Sequence, residues 1–211
     1  MEPTIQVREE FTRPTLHRRD LLPDPLAQLR RWLGEAQEAG EPDAYAMTLA
    51  TVNADGLPNA RMVLLKQIDE WGLVFTSSSS PKTQEFAAQP VAALVFYWPR
   101  QERQIRIQGR IEPLSAAESD CLYAPRVHRQ RLTLLTFPQS QPIANRAALD
   151  VRFAALEKQY QDHELPRPAD WNGWRVVPNR LEFWQGGRAR LHDRLRYTRS
   201  GEGWQVERLA P

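Results

Sequence analysis

The chain has 211 residues, 41% hydrophobic and 26% charged, with 28 basic against 26 acidic side chains and a formal net charge of +2. That length supports one sizeable core, and so even a charge balance gives no electrostatic case for nucleic-acid binding. No apolar run reaches the roughly 18 residues a membrane-spanning helix needs. The single cysteine, Cys121, forms no internal disulfide, and His17, His128, His163 and His192 lack metal-ligand spacing, so no metal site is expected.

The opening stretch mixes Glu2, Glu9 and Glu10 with Arg8, Arg13, Arg18 and Arg19 and has no apolar core of a secretory signal, so a cytoplasmic location and no membrane association are expected. To about residue 24 it has no sustained period and reads as an arm, with residues 25–211 as one domain. Asp24 and Pro25 then form an N-cap and first-turn proline, starting a helix through Leu26, Leu29, Leu33 and Ala36 to Gly40. From Tyr45 the texture changes to short β-branched, aromatic and aliphatic runs. Tyr45–Val52 and Pro58–Lys66 flank a turn ending in Asp55-Gly56, and Leu73–Ser77, Val91–Trp98 and Gln104–Arg110 follow as strands. The last alternates, with Gln104, Arg106, Gln108 and Arg110 on one face and Ile105, Ile107 and Gly109 on the other.

Ser115-x-x-Glu118 is a capping box that opens a helix to Tyr123, and Arg146–His163 reads as a longer helix with Leu149, Phe153, Leu156 and Tyr160 along one side. Strands at Gly173–Val177, Leu181–Trp184, Arg194–Thr198 and Trp204–Leu209 close the chain. Ser77–Ser80 is a short low-complexity run. Many strands joined by short turns, with helices inserted between groups, predict an α+β protein built on an antiparallel barrel with helices packed outside it. The absence of βαβ alternation and of G-x-G-x-x-G argues against a Rossmann site.

Two constellations carry candidate chemistry. On the strand Pro58–Lys66, period two puts Arg61 and Lys66 on opposite faces unless a bulge intervenes; spacing alone favours one solvated cation and one at a core edge over two cations serving two separate anions. If the run after Gly186-Gly187 is extended, Arg190, His192 and Arg194 share one face; two guanidiniums around an imidazole suit an anionic ring, although alternating arginines also mark plain wet strand faces. Only Lys66, Lys82 and Lys158 among the basic residues are lysines, which either singles out positions where a compact ammonium suits an anion or is scatter.

Glu182-Phe-Trp-Gln-Gly with Arg190-Leu-His-Asp-Arg194, the ending Arg208-Leu-Ala-Pro211, Arg61-Met-Val-Leu-Leu-Lys66 and Glu102-Arg-Gln104 together resemble the pyridoxine/pyridoxamine 5'-phosphate oxidase family, over nearly the whole chain from Arg8. The resemblance implies an FMN-binding split β-barrel and a homodimer with active sites at the interface. The implied reaction oxidises pyridoxine or pyridoxamine 5'-phosphate to pyridoxal 5'-phosphate, with dioxygen reduced to hydrogen peroxide. The resemblance implies FMN contacts at Arg61, Met62, Val63, Leu64, Leu65 and Lys66, at Phe75, Thr76, Lys82 and Gln104, and at Gln139, Ser140, Trp184 and Arg194. It implies substrate contacts at Lys66, Arg126, Arg190 and His192, the last two catalytic, and from Arg8 and Phe11 in an arm that closes as a lid.

Departures from the family pattern concentrate at the substrate. Leu122 stands where a phosphate-binding Tyr is expected, Gln130 where a Ser is expected and Pro81 where an Arg precedes Lys82; Phe11 and Glu9 replace Tyr and Arg. Tyr123 offers a neighbouring phenol, displaced by a helical step of about 100°. These changes keep two alternatives in view: a phenazine-biosynthesis-type FMN oxidase acting on a reduced tricyclic carboxylate, and a non-catalytic flavin- or pyridoxal-phosphate-binding protein.

Overall fold

The computed structural model describes residues 10–161 and 163–211. In chain order the elements are α1 (Pro25–Glu38), β1 (Ala46–Val52), β2 (Pro58–Leu64), β3 (Gln67–Ile68), β4 (Leu73–Ser78), α2 (Pro81–Ala88), β5 (Val91–Trp98), β6 (Arg103–Pro113), α3 (Ala116–Tyr123), α4 (His128–Thr136), α5 (Arg146–Gln159), β7 (Trp171–Gln185), β8 (Asp193–Ser200) and β9 (Gly203–Arg208). The hydrogen-bonded strand order is β2-β1-β5-β6-β7-β4-β3, with β8 on β7 and β9 on β8. Packing divides the chain into two compact units: a terminal unit (residues up to Met47, Leu94–Gln108 and Asn179–Pro211) and a central unit (Thr48–Ala93 and Gly109–Pro178).

In the terminal unit, the Asp24 carboxylate accepts from the Leu26 and Ala27 N–H groups at 3.1 Å, starting α1 as its proline predicts. Leu26, Leu29, Trp32, Leu33 and Ala36 recur at helical spacing and are buried. Trp32 meets Phe183 edge-on at 5.1 Å, and Phe183 meets Tyr197 at 5.6 Å. Truncating so buried a tryptophan costs about 3–5 kcal/mol. β7 pairs antiparallel with β8, Trp184 opposite Arg194, and β8 with β9.

The arm differs from its expectation. Phe11 and Leu16 are 4% and 6% exposed, so the arm is packed down at these two side chains, while Thr12, Pro14 and Thr15 between them stay exposed and no period marks it. Their anchors are polar and come from distant sequence, which periodicity cannot reveal: Thr12 N–H donates to the Glu102 carboxylate at 3.0 Å, and Leu16 N–H to that of Asp193 at 2.8 Å.

In the central unit, β4 pairs antiparallel with the Trp171–Val176 stretch of β7 and with β3. Gly72 allows that closeness, because a Cβ there would lie 2.0 Å from the Val176 carbonyl oxygen. Phe75, Phe86 and Trp174 form a chain of edge contacts, Phe86 to Trp174 at 4.8 Å. The predicted Ser115–Glu118 box caps α3, and Arg175 bridges Asp69 and Glu118. Leu132, Leu156 and Leu165 make a separate small core beneath α4 and α5.

Other boundaries shift for identifiable reasons. The two strands drawn at Gly173–Val177 and Leu181–Trp184 are one strand, because Pro178, which cannot donate, falls between the stretch of β7 that pairs β4 and the stretch that pairs β8. α5 ends at Gln159 rather than His163. α2 and α4 carry too little apolar periodicity to announce themselves. The serine run hides a sound helix start, Ser80 as N-cap and Pro81 in the first turn.

Candidate active site

The central unit holds a cleft of about 680 Å³ that Arg61, Lys66, Lys82 and Arg126 line, with no carboxylate among its lining residues. The expectation of opposite faces fails here: β2 stops at Leu64, Lys66 N–H donates to the Val74 carbonyl at 2.8 Å, and Arg61 and Lys66 both reach the one cleft. Lys82 Nζ donates to Ser80 Oγ at 2.9 Å and Gln139 Oε1 at 3.0 Å, both neutral acceptors. Burial lowers its pKa, and the Arg61 charge lowers it further against an opposing effect of Glu85.

Arg126 lies over the Trp171 ring at 5.3 Å, and its buried Nε has no hydrogen-bond partner among the described residues; burial lowers its pKa too. Ser140 adopts a left-handed backbone, φ +66°, a strained conformation at the rim of the cleft. Four cations lining one cleft, two of them partly desolvated and only Arg61 bound to a carboxylate, are a receptor for a phosphate-sized anion. The residues therefore fit a phosphorylated cofactor such as FMN.

Met62, Val63, Leu64, Thr76, Gln139 and Ser140 also line this cleft. Leu65 and Phe75 do not; they are 5% and 0% exposed, and Phe75 packs on Phe86. Tyr123 is no substitute for the missing phenol, because its hydroxyl donates to the carbonyls of Leu165 (3.2 Å) and Pro166 (3.1 Å) while the ring lies against Trp171.

The terminal unit gathers a second group. Phe11 meets Trp184 at 5.6 Å and His192 at 5.2 Å, Trp184 and His192 lie 4.8 Å apart, and the Arg190 guanidinium sits 5.9 Å from the Phe11 ring centre. Two glycines permit this. A Cβ on Gly186 would lie 2.1 Å from the Phe11 ring, and one on Gly187 would lie 2.0 Å from the Leu191 carbonyl oxygen. Gly187 N–H donates to His192 Nδ1 at 3.2 Å, so the neutral imidazole carries its proton on Nε2.

Arg190 departs from the expected extended run. Arg188–Arg190 is a tight turn in which Ala189 and Arg190 have φ +53° and +64°, and β8 starts only at Asp193. Arg190, His192 and Arg194 thus share no strand face; Arg190 approaches the ring cluster through backbone strain instead. Arg194 Nε donates to Glu182 at 2.8 Å and its Nη1 to the Ala210 carbonyl at 2.9 Å, while Gln104 is half-buried on β6. Arg8 lies outside the described residues.

Sequence reasoning missed the residues that hold these groups. Glu85, Thr51 and Asn59 bind around Arg61, and Asp193 binds Arg208 and the Leu16 amide. Glu85 lies one helical turn after Lys82, a signal readable only once α2 is recognised.

Comparisons with known proteins show the family. Residues 33–160 match the family described as Pyridoxamine 5'-phosphate oxidase, and residues 171–211 match the Pyridoxine 5'-phosphate oxidase C-terminal dimerisation region. Proteins named pyridoxine/pyridoxamine 5'-phosphate oxidase are similar along their whole length: one from Burkholderia multivorans is 48% identical, covering 100% of both chains, and one from Thermosynechococcus vestitus is 48% identical, covering 97% of both. Among solved structures, PhzG from Burkholderia lata 383, in complex with tetrahydrophenazine-1-carboxylic acid, is 33% identical with a TM-score of 0.88, covering 93% of this chain and 98% of its own. A pyridoxamine 5'-phosphate oxidase-related, FMN binding protein from Nostoc punctiforme, at 18% identity and TM-score 0.70, covers 86% and 97% and shares the fold.

Proposed function

The chain belongs to the pyridoxine/pyridoxamine 5'-phosphate oxidase family, and from that premise we propose that it is an FMN-dependent oxidase forming pyridoxal 5'-phosphate from pyridoxine or pyridoxamine 5'-phosphate, with hydrogen peroxide as the second product. The fold is that family's antiparallel split barrel, and the dimerisation region at residues 171–211 supports a homodimer. The observation that carries the reading is the acid-free cleft lined by Arg61, Lys66, Lys82 and Arg126.

FMN, when bound, would supply the redox chemistry, hydride acceptance from the substrate and reoxidation by dioxygen. The protein's share is binding and orientation. Arg61 and Lys82 neutralise the cofactor phosphate, with Gln139, Ser140 and Thr76 beside them; Lys66 and Arg126 neutralise the substrate phosphate. Arg190 and His192 hold the substrate ring. Such orientation is worth several kcal/mol, about 7 at the low end for well-aligned reactants. Trp184, Arg194 and Gln104 are further cofactor contacts, and we place each active site at the dimer interface, where the partner subunit completes it. Phe11, seated on Trp184 and His192, is the inner face of an arm that closes over the ring. The turnover compartment is the cytoplasm.

Purified protein is expected to be yellow and to release peroxide when pyridoxamine 5'-phosphate is added. One observation favours a second reading: with Leu122 for the expected Tyr and the Tyr123 hydroxyl committed to Leu165 and Pro166, the substrate-phosphate grip is reduced. Turnover of reduced tricyclic carboxylates, the ligand type in the PhzG complex, without turnover of B6 phosphates would select that alternative. Binding without any peroxide would select a storage protein.

A further inference from the structure

Glu85 sits in α2 with a side chain only 7% exposed, beside the cationic cleft. Its carboxylate accepts from Asn59 Nδ2 at 3.0 Å, from Arg61 Nη2 at 3.0 Å and from the Thr51 hydroxyl. Thr51 Oγ1 in turn accepts from Arg61 Nη1, and the Leu49 carbonyl lies 3.4 Å from the same nitrogen. A guanidinium has two donor edges useful for bidentate contact, an end formed by Nη1 and Nη2 and a side formed by Nε and Nη2. Glu85 and Thr51 together grip the end. The side edge, with two parallel N–H bonds, remains for an oxyanion, and Arg61 lines the cleft.

Burial acts to raise the Glu85 pKa, but the hydrogen bonds from Thr51, Asn59 and Arg61 and the Arg61 charge outweigh it, so the group stays ionised. A buried ion pair is poor value for stability alone, because desolvation offsets its attraction. Holding a guanidinium in one orientation is a function that requires such a pair.

We propose that Glu85 is a positioning residue for the cofactor phosphate: with Thr51 it clasps Arg61 by the end of its guanidinium, so that the side edge meets the phosphate as a two-pronged donor. This rests on the FMN reading above. Glu85 meets the cleft through Arg61 and Asn59, so its influence is expected on the phosphate and not on the flavin ring.

Riboflavin, which lacks the phosphate, separates the possibilities. The holoenzyme is diluted and released FMN is read by its fluorescence, with riboflavin as the competing ligand. Glu85→Ala should weaken FMN binding by about tenfold or more, the loss expected for a charge-assisted hydrogen bond, while riboflavin competes with unchanged affinity. Glu85→Gln, which keeps an acceptor oxygen for Arg61, should recover most of the loss; Thr51→Val, which opens the other half of the clasp, should reproduce part of it. Tighter FMN binding in the Glu85 variants would mean that the carboxylate merely dilutes the cleft's charge, and would overturn the proposal. Equal losses for FMN and riboflavin would reduce Glu85 to a structural role, also against it. Wild-type protein that carries and binds no flavin would instead bring down the FMN reading itself.

Discussion

The arginines of the terminal unit and the cations of the central cleft keep different company. In the terminal unit Arg194 binds Glu182, Arg103 binds Glu35 and Arg208 binds Asp193, each guanidinium meeting a carboxylate of its own unit. In the central cleft Lys82 has neutral acceptors and Arg126 retains a buried Nε without any. Arg61 is intermediate, bound to Glu85 while also lining the cleft. A paired arginine is already neutralised and holds architecture, whereas a desolvated cation without an acid raises the energy of the empty site and is stabilised by an anionic ligand. Arg190 belongs to neither class, since it lies over an aromatic ring on a strained turn.

That distinction breaks first, and furthest, at Arg190. Arg190→Ala should reduce turnover by about 100-fold, the scale of a lost orienting contact, with FMN retention nearly unchanged. Loss of flavin with turnover per bound flavin preserved would move Arg190 from the substrate to the cofactor. Arg126→Ala tests the unpaired class. It should weaken binding of phosphorylated substrates by about 10- to 100-fold, the range for a hydrogen bond to a charged group, and leave the melting temperature unchanged or raised because a half-buried cation with an unsatisfied Nε has gone. Arg194→Ala should do the reverse for stability, leaving the largely buried Glu182 carboxylate only the longer 3.5 Å contact with Arg106. If Arg126→Ala melted earlier than Arg194→Ala, the division into ligand and architectural cations would be wrong.

Much of this was legible in sequence, unevenly. α1 was readable because a cap, a first-turn proline and an apolar period coincide, and β6 because Ile105, Ile107 and Gly109 alternate with polar residues. Local rules see local causes. The docking of Phe11 depends on Gly186 lacking a Cβ, 175 positions away, and no periodicity records it. The Arg190 turn was misread because alternation of arginines mimics a strand, while two consecutive non-glycine residues with positive φ are held there by tertiary contacts such as the Ala189 N–H to Glu10 bond at 3.0 Å. The family motifs named the candidate residues but were silent about Glu85, since a carboxylate on an unrecognised helix carries no local mark.

Strain at that turn offers a smaller test. Left-handed backbone costs a non-glycine residue about 1 kcal/mol, so Ala189→Gly should raise the melting temperature by about 2–4 °C for a chain of this size. The same change frees the turn that presents Arg190, so kcat should fall several-fold in a protein that is more stable. A rise in both would show that the strain does not serve Arg190.

The smallest effects come from pH, and they differ between the units. In the central unit the Ser115 hydroxyl and amide and then Arg175 hold Glu118 down to about 2. A depressed carboxylate contributes stability that is present above its ordinary value of 4.5 and is lost as pH falls toward 2. Glu118 is exposed, so salt screens much of this. In the terminal unit burial pushes Tyr197 up to about 12, and its hydroxyl donates to the Leu22 carbonyl at 2.6 Å. Its contribution is complete below pH 10 and disappears as pH rises through 12. Urea unfolding across pH should therefore show wild type and Glu118→Gln converging only on the acid side, and wild type and Tyr197→Phe converging only on the alkaline side. Pairs of curves that stay parallel throughout would mean that neither group is linked to its unit's folding.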